Sequence, residues 1–236
     1  MTVTVNNSIS EQEATALLSE LAQVESLDAL VLSGHNRRTP RMALGLDAVP
    51  TTQRQKVDRH LFADWRARKQ SVVDHLKALP KRGEVLHAIT GGDYNGTDII
   101  PAIMDMAGAR KAVECYITTL GFSDNNVRLL GSMVEGGQID KLAIVASYYF
   151  ARASKAIYQT AERELVPRGV RLMYCRCHAK TILLKLDTGH HYVIETSANL
   201  RSCVCAEALT LTEDAALYRF YRRFIEHLFT QQGATA

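Results

Sequence analysis

The sequence predicts an α/β fold, a mixed sheet flanked by helices with a helical region ahead of it. Three observations predict it. From Gly83 onward, short apolar runs alternate with stretches of helical spacing, as strands and their crossover helices do. Before Gly83 the apolar residues recur at helical spacing only, which is the pattern of amphipathic helices. Between the two textures stands Pro80, a residue that ends a helix because its ring blocks the preceding turn.

The elements follow in order. Ser10 and Glu13 form a capping box ahead of Leu17, Leu18, Leu21 and Val24, so a short helix is expected over 10–31. The stretch HNRRTPRMALGLDAVPTTQRQ lacks periodicity and contains two prolines and a glycine, so it reads as a loop. A second helix is expected over 52–79, with Val57, Leu61, Trp65, Val72, Val73, Leu76 and Leu79 on its apolar side. Strands are expected over 84–90, 112–121, 141–149, 170–186, 190–198 and 207–212, and helices over 99–107, 125–135, 151–165 and 214–229. A boundary between Pro80 and Glu84 divides a basic helical region (1–82) from an α/β domain (83–236), and no internal repeat is visible.

Composition narrows the function classes. At 236 residues, with 47% hydrophobic and 22% charged side chains, the chain can bury a real core, which sets aside disordered and fibrous classes. No apolar run approaches the roughly 20 residues that a bilayer requires. The opening MTVTVNNSISEQEA lacks the charge-then-apolar layout of a secretory signal, so a cytoplasmic protein with no membrane partner is expected. The five cysteines include the pairs Cys175/Cys177 and Cys203/Cys205. Their C-x-C spacing differs from the C-x-x-C of zinc knuckles, so reduced and mostly buried thiols are expected, with zinc the minority reading. Net charge is only +3, but residues 37 to 82 hold twelve lysines and arginines against four acids.

Reactive side chains are densest from Cys177 to Cys203, in CHAKTILLKLDTGHHYVIETSANLRSC. Alternation along an extended segment points His178 and Lys180 the same way, about 7 Å apart. Ser197 and Asn199 repeat that spacing at the end of the next run, and the Gly189 turn makes the two runs hairpin partners. An imidazole, an ammonium, a hydroxyl and an amide at one sheet edge suit an anion with several oxygens. The ammonium and amide donate hydrogen bonds, while the imidazole attacks or moves a proton.

These residues resemble the phospholipase D superfamily, whose signature is H-x-K, an apolar strand, a turn, and then G-S-x-N or a close relative, usually followed by an acid. The matching residues are His178-Ala179-Lys180, Thr196-Ser197-Ala198-Asn199 and Glu207. The resemblance implies a phospholipase D-like sheet with His178 as a nucleophile that becomes a phosphohistidine. Lys180 and Asn199 would hold phosphoryl oxygens, Ser197 would support them and Glu207 would orient the imidazole. It implies no metal and no cofactor. Members with one motif pair two chains, so it also implies a homodimer in which the second histidine acts as the general acid. Lys185 stands where the commonest form of the motif has an Asp, Asp187 lies two residues further on, Thr196 replaces the usual Gly, and Cys205 precedes Glu207 by two residues. Tyrosyl-DNA phosphodiesterases also dispense with that Asp, and the local pattern is similar to theirs.

Several features carry a plain reading beside a functional one. TGGDYNGTD (90–98) follows a strand and precedes a helix but lacks the P-loop pattern, so a turn with Asp98 as helix cap is expected. His190 and His191 read as turn residues, Trp65 as core rather than a base-stacking ring, and Lys185 as either a solvated strand-end lysine or a second phosphate contact. The basic segment reads as a solvated helix face or as a polyanion-binding arm. In the second case Arg59, Arg66, Arg68, Lys69, Lys185 and Arg201 are the candidate contacts to DNA or RNA. The expected function is a metal-independent nuclease-like phosphodiesterase, in a setting similar to small phospholipase D-like proteins of bacterial and phage genomes. A non-catalytic DNA- or RNA-binding module and a phospholipid phosphodiesterase or transferase are the rivals. The absence of an amphipathic membrane anchor with aromatic flanks favours nucleic acid over lipid.

Overall fold

The computed structural model describes residues 58–201 and 205–233, all of which fall in one compact unit. The expected helix over 10–31, the loop after it and the start of the 52–79 helix lie outside the described residues. Helix α1 (Asp58–Leu76) ends three residues before the expected Leu79, because Lys77 adopts left-handed backbone (φ 60°) and donates its N–H to Val73 O, a common helix stop. Trp65, Val72 and Leu76 of α1 are buried in the same core as Ile99, Ile100 and Ile103. Trp65 is thus a core residue, and α1 packs against α2 in that core.

Seven strands then form one sheet: β1 (Val85–Thr90), β2 (Ala112–Thr119), β3 (Leu142–Ser147), β4 (Arg171–Cys175), β5 (Thr181–Leu186), β6 (His191–Thr196) and β7 (Glu207–Glu213). Between them lie α2 (Ile99–Met106), α3 (Asp124–Glu135), α4 (Tyr148–Ala153) and α5 (Lys155–Leu165), and α6 (Ala215–Gly233) follows β7. The spatial order is β1-β7-β6-β5-β2-β3-β4. Strands β2, β3 and β4 are parallel, and the β2/β5, β5/β6, β6/β7 and β7/β1 pairs are antiparallel. The carboxyl ends of β1, β2, β3, β4 and β6 therefore share one sheet edge with the amino ends of β5 and β7. In open α/β sheets, ligands bind outside the carboxyl ends of the strands.

One expected strand is two. The run 170–186 breaks after Cys175, where Cys177 N–H bonds back to Cys175 O. The chain then passes from β4 at the rim of the sheet to β5 in its interior, beyond β3 and β2. His178, Ala179 and Lys180 belong to this passage, just ahead of β5. The expected β5–β6 hairpin is present, with Lys185 opposite His191 and a turn in which Gly189 holds φ 89°, a backbone region that glycine enters without strain.

The sheet separates two cores. One face packs Ile182, Leu184, Leu186, Tyr192, Ile194, Leu209 and Leu211 against α1, α2, α3 and α5. The other packs Tyr116, Val145, Met173, Leu183 and Val193 against Tyr218 and Ile225 of α6. Among the described residues no helix is long and apolar enough to cross a membrane. Cys115 and Cys177 are buried free thiols, Cys175 is half-buried and Cys205 exposed.

Candidate active site

Alternation decides which side chains meet at the carboxyl-end edge. Cys177, Ala179 and Leu183 pack on the α6 side of the sheet, whereas Ile182, Leu184 and Leu186 pack on the other. Successive residues of extended chain point to opposite faces, so His178 and Lys180 share the face of Ile182. Glu207 shares that face with Leu209 and Leu211, and Thr196 shares it with Ile194. Lys180 meets the second segment through its backbone, its carbonyl accepting the Thr196 N–H at 3.1 Å. The H-x-K and S-x-N segments are thus adjacent. His178 is exposed and Lys180 half-buried.

Ser197 is closed into the sheet end. Its hydroxyl donates to Glu207 Oε2 and accepts the Ala208 N–H at 2.9 Å, while Thr196 Oγ1 donates to Ala208 O at 2.9 Å. The Glu207 carboxylate is therefore held by Ser197. Among the described residues no hydrogen bond joins it to His178.

The Asn199 segment is pinned from three sides. Leu200 N–H donates to Thr119 Oγ1 at 3.3 Å, and Leu200 O accepts from Asn126 Nδ2 at 3.2 Å, whose other hydrogen goes to Thr97 Oγ1 at 2.8 Å. A side chain at Gly96 would stand 3.1 Å from Asn199 O and 3.2 Å from Leu200 Cα, so any other residue would press the loop after β1 away from the Asn199 segment by a few tenths of an ångström. That loop is the expected turn. Asp98 stands at the start of α2 but gives that helix no side-chain cap bond; 1% exposed, it accepts instead from Asn95 N–H at 2.7 Å and from Arg68 Nε at 2.9 Å, closing a short 3-10 turn (Gly96–Asp98) whose N-cap is Asn95.

Between the loop and the sheet end lies a crevice of about 20 Å³ lined by Thr90, Tyr94, Gly96, Thr196, Asn199, Arg201 and Glu207 among others, enough for one water-sized group. Two buried polar atoms on its lining residues, Asn199 Oδ1 and the Tyr94 hydroxyl, have no hydrogen-bond partner among the described residues. Orphaned buried groups cost about 1–3 kcal/mol each, and such atoms beside a crevice are the mark of a place that a ligand or water completes. Burial, and then the neighbouring Asp93 charge, push the Tyr94 phenol up to about 12, so it remains a donor. The sequence reading missed Tyr94. Its position in a glycine-rich loop after the first strand was the available signal.

The remaining candidates separate. Arg201 is exposed and lines the crevice. Arg66 is exposed on α1, and the Arg59 side chain lies outside the described residues. Arg68 is drawn inward to the buried Asp98, whereas Lys69 pairs at the surface with the exposed Asp105, so both cations are engaged by carboxylates of the loop and α2. Lys185 lies at the far end of β5, four residues from Thr181 and thus about 13 Å along the strand, which leaves it as the strand-end lysine and not a neighbour of Lys180. His190 pairs with Glu213 (3.3 Å) at the same far end, and His191 sits edge-on to Tyr218 there. Among the described residues no group of three His, Cys, Asp or Glu stands together as a metal site would require.

No family model matches the sequence and no curated protein matches it. Solved structures do. The Salmonella typhimurium phospholipase D family member Nuc matches at TM-score 0.44 and 16% identity, over 63% of this chain and 95% of that one. NucT from Helicobacter pylori matches at 0.44 and 12%, over 62% and 97%. Polyphosphate kinase from Porphyromonas gingivalis matches at 0.45 and 16%, over 64% of this chain and 28% of that one. The chain therefore spans less than a third of the kinase. These likenesses concern the layout of the chain alone.

Proposed function

We propose that the chain is a metal-independent phosphodiesterase acting on nucleic acid. The observation that supports this most is the backbone bond between Lys180 and Thr196, which brings the His178–Lys180 and Ser197–Asn199 segments side by side at the carboxyl-end edge. The reaction runs in two displacements. A ring nitrogen of His178 attacks phosphorus, the P–O bond to one nucleoside breaks, and that oxygen takes a proton from the His178 of a second copy. Water then attacks phosphorus, gives its proton back to the second imidazole, and breaks the P–N bond. Lys180 and Asn199 hold the non-bridging oxygens as charge builds on them. Pairing through a two-fold axis gives each site its second imidazole.

The test is incubation of the full chain with labelled single- and double-stranded DNA and RNA in EDTA, beside His178→Ala. Cleavage that survives EDTA and is lost in the variant is expected, with the dimer checked by light scattering. Cleavage retained by His178→Ala, or a strict monomer that cleaves, would overturn the mechanism. A second reading has its own observation. With Glu207 clamped on Ser197, no carboxylate among the described residues is hydrogen-bonded to the imidazole. Salt-sensitive binding without turnover would make the chain a binding module.

A further inference from the structure

The carboxyl-end edge carries a second feature that the phosphodiester site does not use. Tyr148 and Tyr149 open α4 directly after β3, where the Ser147 hydroxyl accepts the Tyr149 N–H at 3.3 Å and caps the helix. Tyr174 stands in β4 opposite Ala146 of β3. The rings form a chain. Tyr149 lies 6.3 Å from Tyr148, Tyr148 lies 6.0 Å from Tyr174, and Tyr174 lies 5.3 Å from Tyr158, which is buried and anchors the cluster. The outer rings are open to solvent, Tyr149 at 61% and Tyr174 at 39% exposure. Such exposure is unusual for large rings that packing could have covered, since contiguous exposed apolar patches mark interaction sites.

Cations accompany the rings. The Arg152 guanidinium lies 5.3 Å from the Tyr148 ring centre and donates to its hydroxyl at 2.8 Å. Arg152, Lys155, Tyr158, Gln159, Glu162 and Tyr174 line a groove of about 340 Å³ together with Ala151, in which Glu162 is the one carboxylate against two cations. Arg176, exposed, stands two residues after Tyr174 and two before His178, so the chain itself runs from the ring cluster to the proposed nucleophile. With neighbouring strands about 4.8 Å apart, β4 lies roughly 14 Å from β5 across β3 and β2.

We propose that Tyr148, Tyr149 and Tyr174, with Arg152 and Arg176, form a stacking platform for unpaired bases, so that the substrate class is single-stranded rather than duplex nucleic acid. The inference rests on the phosphodiester reading above and adds the strand state. Flat rings flanked by guanidinium groups take any base by stacking while the cations follow the phosphates. A paired duplex hides its base faces and offers nothing to these rings. The Ser147 cap and the buried Phe150, 4.6 Å from Phe122, hold the platform rigid before the strand arrives.

The experiment measures binding of the full chain by fluorescence anisotropy to three probes of equal length at one salt concentration: a thymine oligonucleotide, an abasic oligonucleotide and a blunt duplex. Wild type is expected to bind the thymine strand tightest. Tyr149→Ala with Tyr174→Ala should weaken that binding by about tenfold or more, leave the abasic probe unaffected, and be restored in part by Tyr149→Trp. Equal binding of strand and duplex, equal loss on the abasic probe, or a change of light-scattering mass in the variant without a change in strand binding would overturn the platform. The two readings fail separately. Ring-dependent strand binding with no cleavage keeps the platform and ends the catalytic proposal, whereas His178-dependent cleavage that is indifferent to the tyrosines does the reverse.

Discussion

Two polar regions of the molecule are built in opposite ways. On the α6 face of the sheet, Glu114 is buried yet accepts from the Tyr218 hydroxyl at 2.9 Å and pairs with Arg222 at 3.3 Å. Tyr116 donates to Glu226 at 2.7 Å, which Arg171 also holds at 2.8 Å. Each group there answers another. At the carboxyl-end edge, Asn199 Oδ1 and the Tyr94 hydroxyl are buried without partners among the described residues while His178 is exposed. A network that is complete within the chain holds the chain together, and one left incomplete is available to something else.

That contrast can be broken by substitution, with the largest effect at the open region. Lys180→Met and Asn199→Ala are expected to lower phosphodiester cleavage in EDTA by about a hundredfold or more each with little loss in thermal unfolding. A large fall in melting temperature with intact turnover per folded molecule would reverse the assignment. Glu114→Ala should do the opposite. It strands the buried Tyr218 hydroxyl, so unfolding in urea should show a loss of roughly 1–3 kcal/mol while turnover of the folded fraction is unchanged. Arg68→Met tests the border between the two regions, because it releases Asp98 and with it the loop that carries Gly96 and Tyr94. Both stability and turnover should fall, each by less than in the two cases above.

Smaller effects sharpen the picture. Arg201→Ala should reduce the salt dependence of nucleic-acid binding by about one unit of slope, whereas Lys185→Ala at the far end of β5 should leave it unchanged. Burial holds the His191 imidazole below its ordinary value of 6.5, with Lys185 and Arg219 adding to the effect and the Gly189 backbone and Glu213 opposing it. The unfolded chain then binds more protons than the folded one as pH falls through about 6.5, so stability declines there. A melting-temperature profile against pH that is flatter in His191→Gln would bear this out, and an identical profile would remove His191 from the account.

The arrangement of elements was largely legible because each has its own period. The six apolar runs from 84 to 212 became strands, and only the run 170–186 became two. That run was misread because Cys177 and Ala179 continue the alternation of β5 although they bear no strand pairing, and alternation alone does not say where pairing starts. The extent of α1 and its place in the main core were not legible either, since an apolar helix face does not name the surface that it covers.

The sequence by itself determined the local chemistry: which residues form strands, the Gly189 hairpin, and the alternation that puts His178 with Lys180. These follow from backbone sterics and side-chain order over a few residues. The tertiary structure alone decided that Arg68 faces Asp98, that Glu207 closes on Ser197, that Lys185 lies at the wrong end, and that Tyr94 and Tyr174 come to the same edge as His178. Such meetings depend on strand order and on which buried charge finds which partner, and no short-range pattern along the chain encodes them.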